Sequence, residues 1–141
     1  MDTNELMRGN KAIFCKDSDL EEIVVVDEIF DNSVGLQGRE FTTYANLIDP
    51  ITITEDLLLK NGFTKELLIE GDERYDDWVR YEKEVNGYFL EMRHCSNSIE
   101  RDWSIHVDND HRCSVGGVDV EYVHQLQNFC TLCGFKFELE V

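Results

Sequence analysis

Two cysteines one helical turn apart, Cys130 and Cys133, are the first residues in this 141-residue chain whose types and spacing could do chemistry. A C-x-x-C pair can offer two thiolates to zinc, and His94, Cys95, His111 and Cys113 could complete a tetrahedral nitrogen and sulfur set. Structural zinc pairs sit on knuckle turns, however, whereas this pair shares a helical face with Val123 and Leu126. Buried cysteines behave as small hydrophobes. The expectation is therefore a core role for the pair, with no metal and no cofactor. A thioredoxin-like redox role would need a βαβ context, which this pair lacks.

Asp108-x-Asp110 begins like a calcium loop, but Arg112 stands at its fifth position, Cys113 at its sixth and Asp119 at its twelfth, so the ligand pattern fails. His124 and the run from Gln125 to Asn128 could form a polar site. The reading preferred for them is structural, with His124 and Gln127 hydrogen-bonding neighbouring backbone as the helix docks through Val123 and Leu126. The chain has no G-x-S-x-G elbow, P-loop, G-x-G-x-x-G or H-E-x-x-H. A non-enzymatic protein is expected.

Charge is the strongest bulk signal. Thirty acidic residues against 13 Lys and Arg give a formal net charge of −17. The excess is even along the chain, with 13 acids against 5 bases in residues 1–63 and 17 against 8 in residues 64–141. Such a field repels phosphate backbones and anionic membranes and speeds encounter with basic surfaces. The expected partner is a protein with a basic surface, with no direct nucleic acid and no membrane. Glu70, Asp72, Glu73, Asp76 and Asp77 crowd one segment beside Tyr75 and Trp78, and these seven residues are the expected binding site. The competing reading is a solvated linker.

The elements that must carry these residues read as α+β. Residues 12–16, 21–29 and 34–44 are short segments rich in Val, Ile and Phe, separated by Asp, Asn, Ser and Gly, which suggests a small curled, SH3-like β lobe. Thr54 is a good N-cap for a helix over residues 55–61 that stops at Gly62, and a boundary is placed between residues 53 and 54. Residues 78–85 and 88–94 flank Asn86-Gly87, the dipeptide suited to a two-residue type I′ hairpin turn. A third strand is expected at 103–107 and a short fourth at 113–115. Residues 122–133 have amphipathic helical spacing and should pack on this C-terminal antiparallel sheet. Phe135, Phe137, Leu139 and Val141 alternate with charged residues like a terminal strand. The lobes expected are thus residues 1–53 and 54–141.

With 42% apolar and 30% charged residues the composition is that of a folding chain, and the longest uninterrupted aliphatic run is far too short to cross a bilayer. The acidic start at residues 1–5 lacks the positive region and apolar block of a secretory signal. Five cysteines, an odd number, point to reduced thiols. A cytoplasmic location is expected.

Leu6 to Asn10, the stretch IDPITITEDLLLKNGF at residues 48–63 and VHQLQNFCTLCG at residues 123–134 together resemble short proteins encoded in phages and mobile elements of gut-type anaerobic bacteria. The chain departs from that pattern between Phe63 and Trp78, where it carries the acidic segment. The resemblance implies a fold and a mobile-element origin and supplies no catalytic residue. Two functions follow as expectations. One is an inhibitor or adaptor that occupies a basic nucleic-acid groove of a host defence effector of the CRISPR type. The other is a structural or assembly component of a virus-like or conjugative particle.

Overall fold

The computed structural model describes residues 4, 6–69, 77–95, 103–109, 115–134 and 138–141. It is a mixed α+β fold with two antiparallel sheets and a helix near the C-terminus. Contacts divide the chain into two compact units: Met1–Ile53 with Tyr122–Leu139 and Val141, and Thr54–Glu121 with Glu140.

In the first unit, Lys11–Phe14 (β1), Glu22–Ile29 (β2), Ser33–Leu36 (β3), Thr43–Tyr44 (β4) and Ile48–Asp49 (β5) form one sheet in the order β4-β3-β2-β1-β5. Alternation explains its core. Val24 and Val26 of β2, and Val34 and Leu36 of β3, point to one side and bury with Leu6, Ala12 and Ile48. Each such Val, Leu or Ile side chain removed from water contributes about 1.5–3 kcal/mol before entropy is counted. The segment expected as one strand at 34–44 is two short strands, and a 3-10 turn at Ala45–Leu47 leads from β4 into β5.

The second unit begins with the helix α1 (Glu55–Lys60). Thr54 Oγ1 accepts from the Leu57 N–H at 3.2 Å, Glu55 and Asp56 face the positive end of the helix dipole, and Lys60 lies in the last turn. Thr64–Ile69 (β6), Trp78–Val85 (β7), Tyr88–Cys95 (β8), Trp103–Asn109 (β9) and Val115–Val120 (β10) then run as an antiparallel meander, in the order β10-β9-β8-β7-β6. The β7–β8 turn has positive φ at both Asn86 (54°) and Gly87 (80°), as a type I′ turn requires. Tyr81, Leu90, Met92, Ile105 and Val107 bury on one face of this sheet.

Three expectations are corrected. The helix α2 (Val123–Leu132), expected in the C-terminal lobe, belongs to the first unit and packs on β1. Its apolar face at Val123, Leu126 and Cys130 is fully buried as expected, but its polar residues select the neighbour. Gln127 Oε1 accepts from the Lys11 N–H at 3.0 Å, and Asn10 Nδ2 donates to Asn128 Oδ1 at 2.9 Å, across 118 residues of sequence. Secondly, the short strand expected at 113–115 continues as β10 over Val115–Val120, with 113–114 outside the described residues, because Gly117 (φ 80°) forms a bulge that lets the strand run on. Thirdly, residues 138–141 form no strand; 135–137 lie outside the described residues. Leu139 is still fully buried between exposed Glu138 and Glu140, so the alternation reports burial, while the backbone groups go to side chains. Lys11 donates to the Leu139 carbonyl, and Asn61 exchanges two hydrogen bonds with the backbone of Glu140, at 2.7 and 2.8 Å.

Candidate functional site

Five residues of the expected acidic site, Glu70, Asp72, Glu73, Tyr75 and Asp76, lie outside the described residues. Asp77 is half-buried just before β7, and Trp78 opens β7 with 44% of its surface exposed. Trp78 lines a cleft of about 490 Å³ on the outer face of the second sheet with Leu68, Arg93, Ser104, His106 and Asp119.

Strand register builds this cleft. Arg80 of β7 stands opposite Arg93 of β8, Arg93 opposite Ser104 of β9, and Ser104 opposite Asp119 of β10, so one row of outward positions crosses four strands. Two bulges complete it. The irregularity between Leu67 and Ile69 inserts Leu68 as an extra residue beside Trp78. The bulge at Gly117 reverses the alternation of β10, which brings Asp119 outward opposite Ser104 while Val120 buries. An uninterrupted strand would exchange those two side chains.

Charge in and beside the cleft is organised by Glu91, which is only 4% exposed. Arg93 donates from Nη2 and Nε to its Oε2 at 2.7 and 3.1 Å, and Arg80 Nη1 donates to its Oε1 at 3.3 Å. Arg80 also pairs with Glu66, and with Glu82 at 3.7 Å. These contacts, the Glu66 hydrogen bond foremost, raise the Arg80 pKa against the effect of burial.

Ser104 Oγ and His106 Nε2 are 2.9 Å apart, within reach for an imidazole to take a hydroxyl proton. β9 runs between β8 and β10, so the ladders on both sides engage its backbone groups and it presents the cleft with side chains. Burial, then Arg93, push the His106 pKa below its ordinary value, which favours the neutral ring at neutral pH. The cleft thus presents an indole face, an aliphatic wall, a guanidinium engaged by Glu91, a hydroxyl, a neutral imidazole and a carboxylate.

His94 is likewise lowered by burial and sits against Trp103 with ring centroids 4.7 Å apart. For both histidines the unfolded chain binds more protons between the depressed folded pKa and the usual value near 6.5, so stability rises with pH through that window. The urea midpoint should fall between pH 7.5 and 5.5, and it should fall less for a His94→Gln, His106→Gln variant. Equal pH slopes for the two proteins would refute this assignment.

The cysteines separate. Cys130 is buried, and burial pushes its thiol up to about 12. Cys133, expected on the core face, is exposed, because α2 ends at Leu132 and Cys133 is its C-cap beside Gly134. Among the described residues no group of three or more His, Cys, Asp or Glu side chains is placed to hold a metal ion; His111 and Cys113 lie outside them. Iodoacetamide should label Cys133 in the native protein and reach Cys130 only on unfolding. Peptide mapping that finds both labelled at equal rates would contradict the buried placement of Cys130.

The sequence singled out Trp78 but gave no signal for the residues that line the cleft with it. Arg93, Ser104, His106 and Asp119 carry no motif, and only strand register brings them together. No family model, curated protein or solved structure matches the chain. Among the described residues no helix is long and apolar enough to cross a membrane.

Proposed function

We propose that this is a non-enzymatic, cytoplasmic binding protein whose acidic surface engages a partner protein with a basic surface, and that it inhibits by occupying a groove that otherwise holds nucleic acid. The observation that carries the reading is the exposed Trp78, which directly follows five carboxylates within residues 70–77 of the sequence, in a chain of net charge −17. Aromatic residues that bury on contact anchor interfaces, while surrounding charge steers encounter and selects the partner. A host defence effector of the CRISPR type has such a groove, and the resemblance to phage and mobile-element proteins favours a target of this kind.

The finer reading of the N-terminal unit as an SH3-like barrel belongs to the same proposal. The order β4-β3-β2-β1-β5 and the 3-10 turn between β4 and β5 support it. A second function, assembly within a virus-like or conjugative particle, is favoured by a different observation: Leu20, Phe30, Phe41 and Tyr44 of the first unit are large, apolar and exposed.

The two separate by salt and by competition. Replacing Asp72, Glu73, Asp76 and Asp77 with Asn or Gln removes four charges and should lower capture of a basic partner by roughly tenfold or more at low salt, with a shallower salt dependence. The captured partner should lose nucleic acid as the protein is added. Capture that ignores both the substitutions and the salt would reject the basic-groove reading.

A further inference from the structure

We infer that the Trp78 cleft is the seat of a cationic side chain, specifically an arginine presented by the partner protein. The inference rests on the basic-partner reading above and names what the cleft would hold.

Local charge comes first. Among the described residues around the cleft, Arg80 and Arg93 stand against Glu66, Glu82, Glu91 and Asp119, an excess of two negative charges. Both arginines are already engaged by these carboxylates, and His106 is held toward its neutral form, so the positive groups present oppose an incoming cation only weakly. Asp119 is exposed and stands opposite Ser104 in the strand register, at the rim of the same cleft.

Shape and surface chemistry narrow the class. The exposed indole of Trp78 offers a π face, which attracts a guanidinium more strongly than any other aromatic ring does. Leu68, also exposed, gives an aliphatic wall for the methylene stem of a long side chain. At the far side the Asp119 carboxylate can accept a guanidinium fork, and the Ser104 hydroxyl can accept a further N–H. Lysine would meet the indole and the carboxylate as a point charge and forgo the paired geometry. An anionic group would face Asp119 and the local excess of negative charge.

The test is titration of the intact, 15N-labelled protein with hexa-arginine, hexa-lysine and hexa-citrulline peptides, read by the two tryptophan indole N–H resonances. Hexa-arginine is expected to shift the Trp78 signal while buried Trp103 stays still, and to bind at least about fivefold more tightly than hexa-lysine. Hexa-citrulline, which keeps the shape and lacks the charge, should bind at least about tenfold more weakly. Trp78→Leu and Asp119→Asn should each weaken hexa-arginine by about five- to tenfold. Asp56→Asn removes the same charge from α1, whose Glu55 pairs with Lys65 next to Tyr81 on the opposite face of the sheet, and should change it less than twofold. Both cleft variants alter exposed side chains, and an unchanged amide spectrum elsewhere confirms the fold. Equal effects of Asp119→Asn and Asp56→Asn, or equal binding of the arginine and citrulline peptides, would overturn the inference. A salt-sensitive partner still captured in full by Trp78→Leu would also overturn it and leave the basic-partner reading standing. If no salt-sensitive partner exists, the basic-partner reading fails whatever the peptides show.

Discussion

Asn10→Ala is expected to lower the unfolding free energy by about 2–4 kcal/mol, because one buried amide holds together both ends of the first unit. Asn10 is 3% exposed. Its Oδ1 accepts from the Met7 N–H at 2.7 Å and its Nδ2 donates to Asn128 Oδ1 at 2.9 Å. Its own carbonyl accepts from the Val26 N–H at 2.8 Å, so the residue sits where the chain enters β1, crosses β2 and meets α2. Truncation takes the Asn10 partner from the Met7 N–H and the Asn128 carbonyl oxygen, both half-buried, and loss of a hydrogen bond at such a site costs about 1–2 kcal/mol each. Asn10→Asp tests the same node differently. It keeps the acceptor for Met7 but turns an acceptor toward Asn128 Oδ1, so the second residue must rotate its amide or lose the bond. Urea unfolding of Asn10→Ala, Asn128→Ala and the double variant should give a coupling of about 1 kcal/mol. A loss below about 0.5 kcal/mol for Asn10→Ala would mean that the node is not buried as described.

That node explains which parts of the fold could be read from sequence. Thr54, Gly62 and Asn86-Gly87 act within a few residues of themselves, and the elements they delimit stand where their chemistry puts them. The face of α2 was legible for the same reason, since Val123, Leu126 and Cys130 repeat with the helix. Its neighbour was not. An apolar stripe says that a helix buries, whereas the choice of β1 is made by Gln127 and Asn128 reaching Lys11 and Asn10.

Segments far apart in sequence meet within the first unit. Gly9 and Asn10 meet Gln127 and Asn128 of α2, and the Ile51 carbonyl accepts from the Val123 N–H at 2.8 Å. The structure thus gives these residues positioning work. β6 escaped notice because Lys65 and Glu66 interrupt its apolar pattern; in the fold they pair with Glu55 and Arg80 on opposite faces of the sheet. The cleft was illegible for a related reason. Asp119 reaches it only because a bulge at Gly117 resets the alternation, and an isolated Gly-Gly in sequence reads equally well as the end of a strand.

Glu91 carries the other large effect, and its test separates a folding role from a binding role. The carboxylate is almost fully buried in the middle strand of its sheet, with Arg93 on Oε2 and Arg80 on Oε1. Removing one partner of a buried ion pair costs about 3–5 kcal/mol, because the remaining charge has been taken from water without compensation. Here the guanidinium side chains keep 25% and 36% of their surface exposed, so solvent screens part of that cost. The expected loss for Glu91→Leu is about 2–3 kcal/mol in urea unfolding.

Adding Arg93→Met to Glu91→Leu removes one of the two stranded charges and replaces it with apolar volume. The double variant should therefore be more stable than Glu91→Leu alone by about 1 kcal/mol or more. Binding should respond differently. Loss of Glu91 cancels half of the local negative excess and releases Arg93 into the cleft, so hexa-arginine affinity falls in Glu91→Leu and recovers in the double variant. Glu91 also raises the His106 pKa, and its removal should move that titration further down. A Glu91→Leu protein as stable as the wild type would show that Arg80 and Arg93 find enough compensation in Glu66, Glu82 and water. The buried carboxylate would then have no structural claim, and its remaining role would be to hold Arg93 away from an incoming cation.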